Sequence, residues 1–246
     1  MLTRNPELPK KSADYAKIIR LFFRNKDVHN YNTKKLRKLY QNGTPIAKII
    51  GDHGGDKKAQ RALPEKAWGL KPVVYLAQGA KVMLRINILQ KFGLVNGAQG
   101  TVVDILYDKS CYTEHGLPKC VIVNFPGYQG PALFKDHPTY VPIVPFEARW
   151  IDFKQRFRNQ LPLDLAFAIT IHKSQGLTLE RAVIDLGKSE NQGGGITFVA
   201  LSRLKTFEGL FLKPMQWQRL NQINNKVMIK QRIREQKRLR KLQRNT

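Results

Sequence analysis

Apolar positions along the chain change period twice. Residues 14–40, "DYAKIIRLFFRNKDVHNYNTKKLRKLY", open with the run Ile18–Phe23. Val28, Tyr31, Leu36, Leu39 and Tyr40 then recur every three or four places, which predicts a strand followed by a helix. Residues 41–72 are irregular and rich in Gly, Lys and Pro, with one short strand expected at "PIAKII". From 73 to 146 the texture is all-β. "VVYLA", "KVMLRI", "GTVVDILY", "CVIVNF" and "TYVPIVP" are short β-branched runs separated by turn residues, and Asn96-Gly97 signals a tight turn. After "FEARW" strand and helix signals alternate again. "LAFAITI" and "AVIDLG" read as strands, "GGGITFVALSRLK" as a Gly-rich loop opening a helix, and "GLFL" as a short strand. In that helix Phe198, Leu201 and Leu204 are expected to face the sheet, with Arg203 on another face. Strand and helix on both sides of an all-β block predict one α/β domain with a small β-barrel inserted into it.

Composition narrows the partner. The 246 residues are 42% hydrophobic and 25% charged, as in globular proteins, but 43 Lys and Arg stand against 18 acids for a net charge of +25. Such an excess favours a polyanion, because each phosphate neutralised releases condensed counterions. Nucleic acid leads, an anionic membrane surface comes second, and a basic structural protein is the plain alternative. The opening "MLTRNPELPKK" lacks the apolar stretch of a signal peptide, and no run has the length of a membrane span. The expectation is an intracellular protein of the nucleus, with the mitochondrion or cytoplasm as alternatives. Cys111 and Cys120 are then expected as reduced thiols. Cys111, His115 and Cys120 lack the fourth ligand and tight spacing of a zinc site, so no metal is expected. Arg219–Thr246 carries ten Lys or Arg and one Glu. That basic stretch is either a solvated tail or a nucleic-acid or import signal.

The densest chemistry lies in "AITIHKSQGLTLERAVIDLG", residues 168–187. A strand that ends in His172-Lys173-Ser174-Gln175-Gly176 presents donors at the sheet edge where α/β domains hold ligands, and Gly176 lets backbone come close to one. An ordinary polar turn is the alternative. Arg203 has the reach of an arginine that senses a transferring phosphoryl group, or else makes a surface salt bridge. The nearest approach to a P-loop is "GDHGGDKK", residues 51–58, and it fails. Asp56 stands where the second glycine belongs, Lys58 replaces the hydroxyl that would meet Mg²⁺, and the segment reads as a loop. Asp104 and Asp185 read as ordinary strand-end aspartates. Tyr107, Tyr112, Phe125 and Tyr128 either fill the barrel or stack on bases, with packing favoured.

"TIHKSQGLTLERAVIDLG" followed by "FVALSRLKTFEGLFL" resembles the last two motif blocks of Pif-one-like DNA helicases of superfamily one. "LFFRNKDVHNYN" resembles an earlier block of that family, and "GAKVMLRINILQKFGLVNGAQGTVVDI" the segment leading into its β insertion. The resemblance covers roughly residues 15–213. It implies a RecA-like domain interrupted by a small all-β SH3-like barrel. Residues 1–72 would be the first part of the second RecA-like domain, 73–146 the inserted barrel, 147–215 the remainder and 216–246 a basic tail. It further implies an ATP-driven 5′→3′ motor on single-stranded DNA. His172, Lys173 and Ser174 would face DNA, Gln175 and Gly176 would lie near the nucleotide, and Arg203 would act on the γ-phosphate. ATP and Mg²⁺ belong to the complete helicase. The P-loop domain would be a partner in cis or in trans, and this chain alone is expected to bind neither ligand tightly nor to hydrolyse ATP. An inactive nucleic-acid-binding module and an accessory subunit completing an ATPase in trans are the alternatives.

Overall fold

The structure, a computed structural model, describes residue 15 and residues 17–108, 116–152, 154–186, 195–213 and 227–243. The chain divides into two compact units, Met1–Val28 with Ile169–Thr246, and His29–Ala168. Among the described residues no helix is long and apolar enough to cross a membrane.

The first unit is built on a four-stranded sheet. In chain order its strands are β1 (Ile19–Phe22), β12 (Ala168–Thr170), β13 (Ala182–Asp185) and β14 (Leu210–Leu212), in spatial order β12-β1-β13-β14. β1 and β13 run parallel from Ile19↔Ala182 to Phe22↔Asp185, and β13 and β14 are parallel as well. Continuous apolar runs are what a strand covered on both faces requires, and Leu21, Ala182, Val183 and Ile184 are all buried. Helix α3 (Ile196–Leu201) follows Gly195 and is shorter than expected. Its inward pair is Ile196 and Ala200, while Phe198 is 74% exposed and Leu201 also faces solvent. The expected facing of Phe198 and Leu201 is thereby reversed. In a helix of one and a half turns the i,i+4 pair that packs sets the phase, and here it is Ile196 with Ala200.

The second unit holds most of the β structure. Helix α1 (Asn25–Gln41) leads into it, followed by β2 (Ala47–Ile50), β3 (Asp52–Gly54) and the short helix α2 (Lys57–Arg61). Next come β4 (Val73–Leu76), β5 (Lys81–Leu84), β6 (Gln99–Leu106), β7 (Cys120–Asn124) and β8 (Tyr140–Ile143). β9 (Phe146–Asp152), β10 (Lys154–Gln160) and β11 (Leu163–Leu165) complete it. Strands β5 to β8 form an antiparallel sheet with β11 at one edge, in the order β11-β5-β6-β7-β8. The β4 strand pairs instead with β2, Ala47 opposite Leu76. One core joins these sheets, built from Ile49, Val74, Leu76, Val82, Leu84, Val102, Val121, Val123, Phe125, Ile143 and Leu163, with Leu36 from α1. The Asn96-Gly97 turn is present, with Gly97 at φ 99° and the Ala98 amide bonded to the Val95 carbonyl. Gly100 is required by close approach, since a Cβ there would lie 2.5 Å from a methyl of Val123.

Residues 146–160 depart from the sequence reading. Where α/β texture was expected to resume, β9 and β10 form an antiparallel hairpin, and β10 pairs on its other side with β3. The inward positions of β10 are Arg156, Arg158 and Gln160, all buried. A hydrophobic period cannot announce a strand whose buried face is polar. Arg158 is 0% exposed and donates to the carbonyls of Leu70, Ala59 and Ala62 at 2.7–3.0 Å, and to His53 Nδ1 at 3.3 Å. Burial pushes both the Arg158 guanidinium and the His53 imidazole down from their ordinary values, the cation adding to the effect on His53. Asn32, buried on α1, fixes the strand entering the parallel sheet. Its Oδ1 accepts from the Ala168 amide at 2.8 Å, and its Nδ2 donates to the carbonyls of Ala168 and Leu165.

Candidate functional site

At the end of β12 the chain turns through a single 3₁₀ turn, His172–Ser174. The turn is held from inside. Ser174 Oγ donates to the Ile171 carbonyl at 2.7 Å, and the Lys173 amide donates to Thr170 Oγ1 at 3.2 Å. The Ile171 amide is bonded to Phe22 O at the end of β1, which sets the two loops side by side, with the Phe23 and His172 rings 6.3 Å apart. His172, Lys173, Gln175 and Gly176 are exposed. Ser174 is 0% exposed, so it does not share in the expected outward row of donors. Its hydroxyl is spent on shaping the turn that presents His172 and Lys173. Gly176 has φ +81° and open space where a Cβ would stand, so it is the backbone conformation that selects glycine here.

Arg203 follows α3 and is tied to the same segment through its backbone. Its carbonyl accepts from the Leu179 amide at 2.8 Å, and the Lys205 amide donates to the Leu179 carbonyl at 3.0 Å. The guanidinium is half-buried and folded back on its own turn, donating from Nε to the Val199 carbonyl at 3.2 Å and from Nη2 to Ser202 Oγ at 3.0 Å. Both acceptors are neutral, and among the described residues no carboxylate pairs with it. Arg203 therefore keeps a whole positive charge that an incoming anion can use. The neighbouring acids are engaged elsewhere. Lys205 pairs with Glu180 at 3.0 Å and holds its carboxyl below the ordinary range, and Lys213 pairs with Asp185 at 2.7 Å. Asp185 ends a strand, as read, and Asp104 Oδ1 accepts only from the next amide, Ile105.

Residues 51–58 are structured, contrary to their reading as a loop: β3, a turn at Gly55 with φ +112°, then α2. A strand, a glycine turn and a helix are the outline of a phosphate loop, but the position a phosphate would take is filled from within. Asp56 caps α2 through the Ala59 amide and meets Arg156 in a two-point pair at 3.0 Å each. The Arg156 guanidinium holds the Asp56 carboxyl below its ordinary value.

The aromatic candidates divide. Phe125 is in the core, and Tyr128 is half-buried with its hydroxyl donating to the Pro131 carbonyl. Cys111, His115 and Tyr112 lie outside the described residues. Cys120 is half-buried on β7, and burial pushes its thiol up.

No family model matches the chain. The zebrafish (Danio rerio) "ATP-dependent DNA helicase PIF1" is 37% identical over 162 residues, 64% of this chain and 22% of that protein. "ATP-dependent DNA helicase PIF7" of Trypanosoma brucei brucei is 30% identical over 215 residues, 80% of this chain and 20% of that protein. Among solved structures, the Pif1 helicase of Candida albicans matches with TM-score 0.59 at 24% identity, covering 81% of this chain and 45% of that one. Bacteroides Pif1 bound to ssDNA matches with TM-score 0.56 at 22% identity, covering 83% of this chain and 42% of that one. The fold is thus shared with these helicases, and the chain spans about a fifth of the length of the zebrafish and trypanosome relatives.

Proposed function

We propose, from the premise that this chain is a segment of a Pif1-like DNA helicase, that it forms the second RecA-like domain of such a motor with a small SH3-like β insertion. In this reading the exposed His172 and Lys173 meet phosphates of single-stranded DNA, and Ser174 shapes the turn that carries them. Gln175 and Gly176 approach the nucleotide. Arg203 leaves its resting contacts with Val199 and Ser202 to stabilise charge developing on the γ-phosphate of ATP. A P-loop domain, in cis or in trans, holds ATP and Mg²⁺, and closure of the two domains drives 5′→3′ movement along the strand. The chain by itself binds DNA and does not hydrolyse ATP. Such a motor works on DNA in the nucleus or the mitochondrion.

The observation that carries this reading is the state of Arg203. Its charge rests on neutral oxygens, beside a segment whose neighbours His172 and Lys173 are exposed. Arg156 and Arg158 show what structural arginines look like in the same chain, one paired with a carboxylate and the other caged by carbonyls.

The test is binding of the purified chain to labelled single-stranded DNA by anisotropy, alongside single-turnover ATP hydrolysis. DNA binding without hydrolysis is expected, with hydrolysis appearing once the P-loop domain of a Pif1 relative is supplied. Arg203→Ala should then lower hydrolysis about a thousandfold while DNA affinity stays. A chain that fails to bind DNA at low salt overturns the reading. Hydrolysis indifferent to Arg203 removes the role assigned to that residue.

A further inference from the structure

Trp68 is poorly explained by the fold alone. It follows the 3₁₀ turn Pro64–Ala67 with φ 53° and ψ 29°, and it is the one non-glycine residue with positive φ among the described residues. Bulky L-residues disfavour that conformation, because Cβ crowds the following carbonyl, and Gly or Asn normally takes such a place. The backbone there is well bonded, with the Gly69 amide donating to the Pro64 carbonyl at 2.7 Å and the Leu70 amide to that of Ala67 at 2.9 Å. A tryptophan in that conformation would be offset if its ring were buried. It is not buried: Trp68 is 60% exposed, while the small core beneath is closed by Ala67, Leu70 and Ala148 with Phe146 and Trp150 against them. Neither packing nor backbone geometry asks for tryptophan at this position. Strained residues that survive in this way mark places where the side chain acts outward.

The surroundings say on what. The Phe146 ring backs Trp68 at 5.8 Å, tilted by 43°. The Arg85 guanidinium lies beside the next residue, since a Cβ on Gly69 would stand 3.2 Å from its Nη2. Lys66, one position before the pair Ala67-Trp68, is exposed. An exposed indole with a ring behind it and cations around it fits a flat π-face joined to an anion, which is an unpaired nucleotide. The net charge of +25 makes a polyanion the natural occupant.

We propose that Trp68 is a stacking platform for an unpaired base of single-stranded DNA, with Arg85 set for the adjoining phosphate. The proposal rests on the single-stranded DNA reading above and adds to it a contact in the β-rich unit, apart from the His172–Gln175 turn. A base stacked on Trp68 gains from the ring and not from the charge, and that distinction makes the contact testable.

The experiment compares a labelled oligothymidylate with an abasic oligomer of equal length, both titrated with the whole chain. Trp68→Gly removes the ring and suits the left-handed backbone, so its melting temperature should match or exceed that of the parent chain. The expected result is a loss of about tenfold in affinity for oligothymidylate with little change for the abasic strand. Trp68→Phe should keep most of the affinity. Arg85→Ala should weaken both oligomers and lower the salt slope by about one. Unchanged affinity for oligothymidylate in Trp68→Gly, or an equal loss on both strands, overturns the proposal and leaves the DNA reading standing. A variant that alters only self-association overturns it too, and marks the ring as a protein contact. If the parent chain binds neither oligomer, the single-stranded DNA reading fails and this inference fails with it.

Discussion

Arg158 and Arg203 carry the same charge and meet opposite fates. Arg158 is 0% exposed and donates to three main-chain carbonyls and His53, while Arg203 is half-buried and touches two neutral oxygens of its own turn. Removing Arg158 leaves the carbonyls of Ala59, Ala62 and Leu70 without their donor in a region water does not reach. Against this, a buried cation with no carboxylate is itself costly, so part of the loss is returned. With three acceptors stranded, the loss wins. Arg158→Met is expected to destabilise the chain by about 2–4 kcal/mol, read as a lower urea midpoint, and equal stability would show that the cage is dispensable. His53 must stay neutral to accept from Arg158, and its lowered pKa agrees with that role. At Arg203 the expectation is reversed. Arg203→Ala should leave the urea midpoint within about 0.5 kcal/mol of the parent, because its acceptors are solvent-accessible or already paired in the helix.

Two elements depend on contacts made by a single residue. Helix α2 has five residues and cannot persist on propensity alone, so its start depends on Asp56 and, through it, on Arg156 from β10. Because pairing depresses the Asp56 pKa in the folded state, its stabilising contribution is present above the ordinary carboxylate range. That contribution is lost as pH falls through the depressed value. Asp56→Asn should therefore melt lower than the parent at neutral pH, with the two melting curves converging in acid. A constant gap at every pH would argue that only shape matters there. The second element is the turn before β14. A Cβ on Gly209 would stand 1.8 Å from the Glu180 carbonyl, so backbone must move to admit any side chain. Gly209→Ala is expected to cost about 3 kcal/mol or more, seen as a fall in melting temperature, and to loosen β14 from β13.

For the whole molecule the governing quantity is charge. With a net +25, binding to a single strand should be strongly salt-dependent, each phosphate contact adding about −0.7 to the log–log slope. Affinity is expected to drop more than about tenfold between roughly 50 and 200 mM salt. Affinity that ignores salt would mean the recognition is not electrostatic and would undercut both DNA proposals. His172→Ala with Lys173→Ala should flatten that slope without changing the melting temperature, since both side chains are exposed.

Sequence alone determined the features whose signals are local. The runs at Ile19–Phe22 and Ala182–Asp185 are strands in any tertiary setting, because an apolar segment of that length has to be covered on both faces. The motif blocks were readable for the same reason, since their chemistry lies in adjacent residues, and so was the failure of residues 51–58 as a phosphate loop. Tertiary structure decided what depends on distant partners. The buried face of β10 is Arg156, Arg158 and Gln160, made tolerable by groups some ninety to a hundred positions earlier, which no window along the chain contains. The pairing of β4 with β2 rather than with β5, the inward turn of Ser174 and the phase of α3 were settled in the same way. A hydrophobic period reports only that apolar groups must leave water. Which polar groups go in with them depends on hydrogen-bond partners that the fold alone brings within reach.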